Sequence, residues 1–197
     1  MQKLNVGFAL TGSFCTFRRV LPVMRELKAA GHELIPIMSY NAYTLDTRFG
    51  KAADFNAEIE EICGNKIIST LQQAEPIGPK QLLDILIIEP CTGNTLAKLA
   101  MGIADTPVTM AAKSHLRNLR PVLIAISSND ALANAAKNIA MLQNYKNVFF
   151  VPYRQDDPAQ KPNSVVADFS QTQNAMLHAL RFEQLQPMLV RPVEMND

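Results

Sequence analysis

Three short runs of hydroxyl and amide residues carry most of the chemistry this chain offers. Thr11-Gly12-Ser13 follow the apolar residues 4–10, Thr92-Gly93-Asn94-Thr95 follow 82–91, and Ser127-Ser128-Asn129-Asp130 follow 121–126. Small polar side chains where a strand turns into a helix can hold an anion, because first-turn N–H groups lack partners and the helix dipole is positive there. Gly12 allows a tight turn, after which Ser13 and the following amides can meet a phosphate. Each run alone also reads as an ordinary turn or N-cap. No lysine follows Gly12, so the run is not a Walker loop, and Gly7 with Gly12 does not make a GxGxxG fingerprint. Arg48, in the aperiodic stretch 40–51, can grip a carboxylate through paired donors, or stand simply solvated. Lys113 falls on a helix expected to pass near the 92–95 run and to reach an acidic ligand. Cys15 has no base beside it in sequence to activate its thiol and is read as packing, and His32 is placed at the exposed start of a strand.

The elements that must position these residues follow from hydrophobic pattern. Leu86-Ile87-Ile88 show no polar alternation, as in a strand covered on both faces; 121–126 reads as another buried strand, 4–10, 33–38 and 148–151 as further strands, and 66–69 as a short one. Helical spacing follows at 14–27, stopped by Ala30-Gly31, then from about 52 and over 96–103, 108–118 and 131–145. Asp105-Thr106-Pro107 form an N-terminal cap for the helix after the central one. Alternating strands and helices predict an α/β fold: a Rossmann-like, doubly wound, mainly parallel sheet of about six strands in a single domain. In such a sheet ligands bind outside the carboxyl ends of the strands, where all three polar runs fall, and Ser39 at the end of 33–38 can reach a ribityl or ribose hydroxyl. Residues 1–151 form the core; 152–197 read as a proline-punctuated lid or tail with a final helix over about 170–185.

Bulk properties set bounds on this reading. The 197 residues at 48% hydrophobic suit one sizeable core, and a net charge of +1 with scattered cations disfavours a nucleic-acid protein. Three separated cysteines without CxxC or paired-histidine spacing support neither a disulfide framework nor a zinc site. No stretch approaches ~18 apolar residues, and the expectation is a cytoplasmic protein.

The order of the polar runs permits a comparison. TGS at Thr11, EPCTGNTLAKLAMGIAD from Glu89 and the strand ending near Asn129 resemble the flavoprotein family of homo-oligomeric flavin-containing cysteine decarboxylases, whose corresponding runs read like TGSIAAYK, PATANTIAKLANGIAD and PAMN. The resemblance covers about 4–151. It implies FMN, with its phosphate near Ser13, Ser39 and the 92–95 run, and a cofactor-binding set of Thr11, Gly12, Ser13, Ser39, Pro90, Thr92, Asn94, Thr95 and Ser127. It also implies self-association, often through trimers. Within the family, TRFG at Thr47, AEPIGPK at Ala74, SSNDAL at Ser127 and QDDPAQKPNSVVAD at Gln155 resemble the branch formed by B subunits of dipicolinate synthases. That branch implies formation of pyridine-2,6-dicarboxylate from dihydrodipicolinate or its precursor in the mother cell of a sporulating bacterium. It also implies a separate A subunit, resembling a dehydrogenase and carrying NAD(P).

Aromatising a dihydropyridine removes a hydride and a proton, so a cofactor must accept the hydride and a base the proton. A dicarboxylate substrate calls for cations, and Arg48, Lys113 and Arg154 are the candidates, with Asn129 as an orienting donor. Asp130, His115 and Asp157 are weighed as the base, and each also reads as a cap or a surface residue; the catalytic residue stays unassigned. The proline and both methionines of the relatives' PxMNxxM run are absent over 126–132, which argues against peptidyl-cysteine decarboxylation. Three functions remain open: a redox flavoprotein subunit, an FMN-dependent decarboxylase or flavin-modifying transferase, and a non-catalytic partner of the A subunit.

Overall fold

The computed structural model describes residues 3–191. In chain order it runs β1 (Asn5–Leu10), α1 (Phe17–Ala29), β2 (Glu33–Met38), α2 (Tyr40–Thr44), α3 (Ala52–Cys63), α4 (Leu71–Ala74), β3 (Ile85–Cys91), α5 (Gly93–Ala100), α6 (Pro107–Leu116), β4 (Val122–Ser128), α7 (Ala136–Gln143), β5 (Val148–Phe150), β6 (Tyr153–Asp157), β7 (Lys161–Ala167) and α8 (Thr172–Ala179). One sheet takes the order β2-β1-β3-β4-β7-β6, with β5 pairing the first half of β4. Strands β1 to β5 are parallel, whereas β7 joins the last two residues of β4 antiparallel and β6 closes a hairpin on it.

The apolar runs explain the layering. Every residue of β3 is buried, as is β4 up to Ser127, because helices cover both faces. Helix α1 packs on α3 and α8, with Phe17 edge-on to Phe55 at 5.2 Å, while α5 packs between α6 and α7. Pro22 lies inside α1, and the helix stops before Gly31, whose φ of 92° a side chain would resist. Thr106 caps α6 through a reciprocal pair with Thr109, and Pro107 takes the first helical position, as its missing N–H allows. Among the described residues no helix is long and apolar enough to cross a membrane.

Four expectations need correction. The sheet has seven strands, not six, because 153–157 and 161–167 pair with the core instead of forming an irregular tail. The segment 66–69 contributes only a single bridge, Ile37 to Ile68, and the last helix is Thr172–Ala179, shorter than 170–185. Residues 192–197 of the expected tail lie outside those described. His32 is buried at 2% exposure with neither ring nitrogen hydrogen-bonded among the described residues, so burial lowers its pKa below the ordinary histidine range.

One buried group makes stability depend on pH. Glu89 on β3 has no exposed surface; its Oε2 accepts a hydrogen bond from Thr172 Oγ1 at 2.7 Å, and its Oε1 has no partner among the described residues. Burial pushes its pKa from 4.5 up to about 8, with the Thr172 bond opposing the rise. The carboxyl is therefore compatible with folding in its neutral form. Its contribution is fully present below pH 4.5 and is lost as pH rises through about 8, since only the unfolded chain ionises between those values. Urea titrations at pH 5 and pH 8 are expected to show Glu89→Gln losing less stability on that rise than the wild type, by on the order of a few kcal/mol. Parallel pH dependences of the two proteins would show that Glu89 is not the group responsible.

Candidate functional site

The carboxyl ends of β1, β3 and β4 converge, and hydroxyl groups join them. Thr11, only 1% exposed, donates both its N–H (3.2 Å) and its Oγ1 hydroxyl (2.7 Å) to the Pro90 carbonyl, and its Oγ1 accepts the Thr92 N–H at 3.0 Å. Thr92 caps α5: its Oγ1 accepts the Thr95 N–H at 3.4 Å and donates to Thr95 Oγ1 at 3.2 Å. Ser13 and Ser127 share a hydrogen bond of 2.8 Å, which ties the loop after β1 to the end of β4.

Above this floor lies a cavity of about 800 Å³, within the size range of small-molecule sites. Gly12, Ser13, Thr92, Gly93, Asn94 and Ser127 line its base, with Ser128, Asn129 and Asp130 beside them. Phe14 and Cys15 come from the start of the first helical turn, and Arg48 and Phe49 from the loop before α3. Asp156, Lys161 and Ser164 come from the β6–β7 hairpin. Gly93 is required by its neighbours: a Cβ there would stand 2.7 Å from Asp130 Oδ1 and 2.8 Å from Ser128 Oγ. Without one, Ser128 donates to Asp130 at 2.5 Å and the carboxylate rests against the start of α5, where the helix dipole favours it.

The structure brings together Gly12, Ser13, Thr92, Asn94, Ser127, Arg48 and Asn129 around this one space. Thr11 and Pro90 sit beneath it as the stitch between strands, and Thr95 is buried within the α5 cap. Ser39 ends β2 but turns its Oγ to the Ala42 N–H at 3.4 Å, capping α2 rather than facing the cavity. Lys113 is not brought to the site: α6 runs back toward the start of β4, so Lys113 lines a recess with Gln72, Glu75 and Arg117. Arg154 does not line the cavity either, and pairs with Asp168 at 3.2 Å.

Of the bases considered, His115 is buried with Nε2 at 3.1 Å from the Pro121 carbonyl, and burial lowers its pKa to about 4. Asp157 accepts the Gln160 N–H at 2.9 Å in the hairpin turn, which leaves Asp130 as the one of the three that lines the cavity. Cys15, expected to pack, is exposed in the cavity, whereas Cys63 and Cys91 are buried, and burial pushes the Cys63 thiol up to about 12. Sequence reading missed Phe14, Phe49, Asp156 and Lys161. The available signal was the Asp157-Pro158 turn between two runs able to pair as strands.

The cavity residues also agree with a phosphorylated ligand that carries hydroxyls and a flat ring. Ser13, Ser127 and Asn94 offer donors and acceptors at the base, and Phe14 and Phe49 offer apolar faces. Arg48 lies over the Phe49 ring, 4.9 Å from its centroid, and among the described residues it has no carboxylate partner. Lys161 pairs with Asp156 at 2.9 Å, which raises the pKa of its ammonium group.

A family model described as flavoprotein matches residues 1–176. The dipicolinate synthase B subunit of Bacillus subtilis (strain 168) is 45% identical over 193 residues, 98% of this chain and 96% of that protein. The crystal structure of the dipicolinate synthase B subunit from Bacillus halodurans superposes with a TM-score of 0.88 at 42% identity, covering 95% of this chain and 96% of that one. The FMN-dependent cysteine decarboxylase SpaF shares the fold, with a TM-score of 0.66 at 23% identity over 90% of this chain and 95% of that one.

The Thr11 stitch can be tested by an isosteric change. Thr11→Val removes the hydroxyl that serves both the Pro90 carbonyl and the Thr92 N–H, and is expected to lower stability by about 1–3 kcal/mol in urea unfolding. A variant as stable as the wild type would show that the strand ends are held together without it.

Proposed function

The chain belongs to the flavoprotein family, and on that premise we propose that it is the B subunit of a dipicolinate synthase. In this reading it is an FMN-binding oxidoreductase subunit that forms pyridine-2,6-dicarboxylate from dihydrodipicolinate or its precursor during sporulation. It works beside an A subunit that carries NAD(P). The supporting observation is the cavity itself: hydroxyl and amide groups from three strand ends face the same space as an arginine without a carboxylate partner among the described residues, in a chain 45% identical to such a protein over nearly its whole length.

Ser13, Thr92, Asn94 and Ser127 are the residues that would hold the flavin, with Phe14 against its apolar part. The flavin, when bound, supplies a hydride acceptor, which no side chain can. Arg48 binds a substrate carboxylate, its guanidinium already oriented by the Phe49 ring. Asn129 orients the substrate as a hydrogen-bond donor. Asp130 takes the proton: it lines the cavity without a salt-bridge partner among the described residues, and the Ser128 hydroxyl on its Oδ1 leaves Oδ2 available. Exposed Met101, Ile103, Leu132 and Met141 on and around α5 and α7 support self-association.

The first test is the absorbance and fluorescence of the purified chain titrated with FMN. Asn94→Asp, which adds a negative charge at the base of the cavity, is expected to weaken FMN binding at least tenfold, while Lys113→Ala leaves it unchanged. Asp130→Asn is expected to keep FMN and lower turnover of the two-subunit complex by about 10² or more, the usual size of general-base catalysis. Dipicolinate formation by a complex in which this chain never takes up FMN would reduce it to a non-catalytic partner. Release of carbon dioxide from the substrate would instead make it a decarboxylase.

A further inference from the structure

The β6–β7 hairpin carries a second cation into the cavity, opposite Arg48. In the sheet order β2 lies at one edge and the hairpin at the other, so Arg48, in the loop that follows β2 and α2, and Lys161, on β7, approach the space between them from opposite sides. Phe14 and Phe49 line the same space. Arg48 has no carboxylate partner among the described residues, while Lys161 is held by Asp156 alone among them, through one contact of 2.9 Å with side chains 59% and 31% exposed. An ion pair so exposed contributes little, so exchanging Asp156 for another carboxylate costs little. A ring with carboxylates on the two carbons that flank its nitrogen presents two anionic groups on diverging bonds, one for each cation.

We infer that Lys161 is the specificity-determining residue for the second carboxylate of the ring substrate: Asp156 holds its ammonium group ready, and a dianion bound to Arg48 displaces Asp156 and bridges the two cations. This rests on the dicarboxylate reading above and adds a residue and an exchange of partners to it. Selection between one carboxylate and two then lies in the hairpin. Asp130 makes no ion pair with Lys161 among the described residues: Lys161 pairs with Asp156, and Asp130 Oδ1 takes the Ser128 hydroxyl.

The test is calorimetric titration of the full-length chain, loaded with FMN, with pyridine-2,6-dicarboxylate and separately with pyridine-2-carboxylate. The wild type is expected to prefer the diacid by about tenfold or more, the usual strength of a hydrogen bond to a charged group. Lys161→Met should bring diacid affinity down to that of the monoacid, and Asp156→Asn should tighten the diacid a few-fold by freeing Lys161. FMN fluorescence, measured on every variant, reports that the base of the cavity is intact. If the wild type prefers the diacid and Lys161→Met preserves that preference, the hairpin assignment falls and the dicarboxylate reading stands. If Asp156→Asn weakens the diacid as much as Lys161→Met does, the pair is structural and the assignment likewise falls. A wild type that takes up FMN and binds neither acid overturns both.

Discussion

The ligand end of this molecule depends on how β3 finishes. Pro90 has no N–H to give to a neighbouring strand, and the pairing of β3 with β4 shifts register between Ile88 and Cys91. A central, fully covered strand cannot leave its polar backbone unanswered there. Thr11 answers it with two donors on the Pro90 carbonyl, and the same hydroxyl oxygen receives the Thr92 N–H. One buried side chain thereby sets where the loop after β1 and the start of α5 stand relative to each other. Ser13 and Ser127 extend the tie to β4. The cavity floor is thus a hydrogen-bonded plate, and the groups that face a ligand are those the plate leaves over.

Charge in the cavity follows from the same constraint. The start of α5 attracts negative charge, and Gly93 lets the Asp130 carboxylate take that place at close range. Asp156 is taken up by Lys161. Asp130 Oδ1 thus takes the Ser128 hydroxyl and Asp156 takes Lys161, and Arg48 is the lining charge with neither an ion pair nor a side-chain hydrogen bond among the described residues. An anionic ligand is the natural complement of such a set, although net charge over the whole chain is only +1. Glu89, buried one residue before Pro90, adds no opposing charge at neutral pH, because burial keeps it mostly protonated.

The parallel core was legible in the sequence because its signals are local. Unbroken apolar runs such as Leu86-Ile87-Ile88 mark strands covered on both faces, Gly31 and the Thr106-Pro107 pair mark helix ends, and three polar runs after three strands mark the edge where ligands bind. Ser39 shows where local reading runs out: a serine at a strand end can face a ligand or cap the next helix, and only the direction of α2 decides that it caps. His32 went the same way, since whether a strand start is covered depends on what packs over it.

Cations were the hardest part of the site to read, for a physical reason. Lys113 is close in sequence to the 92–95 loop, but α6 runs antiparallel to the strands and carries its last turn toward their amino ends. Lys161 is far in sequence, yet β7 pairs antiparallel with Ser127 and Ser128, the two β4 residues that end in the cavity. Arg154 sits on the neighbouring strand of the same hairpin and is lost to Asp168. Which of three similar basic side chains reaches the ligand end is therefore decided by strand direction and pairing. An antiparallel hairpin appended to a parallel sheet brings residues beyond 150 back over strand ends formed before 130, and so supplies one side of a site whose floor the parallel core had already built.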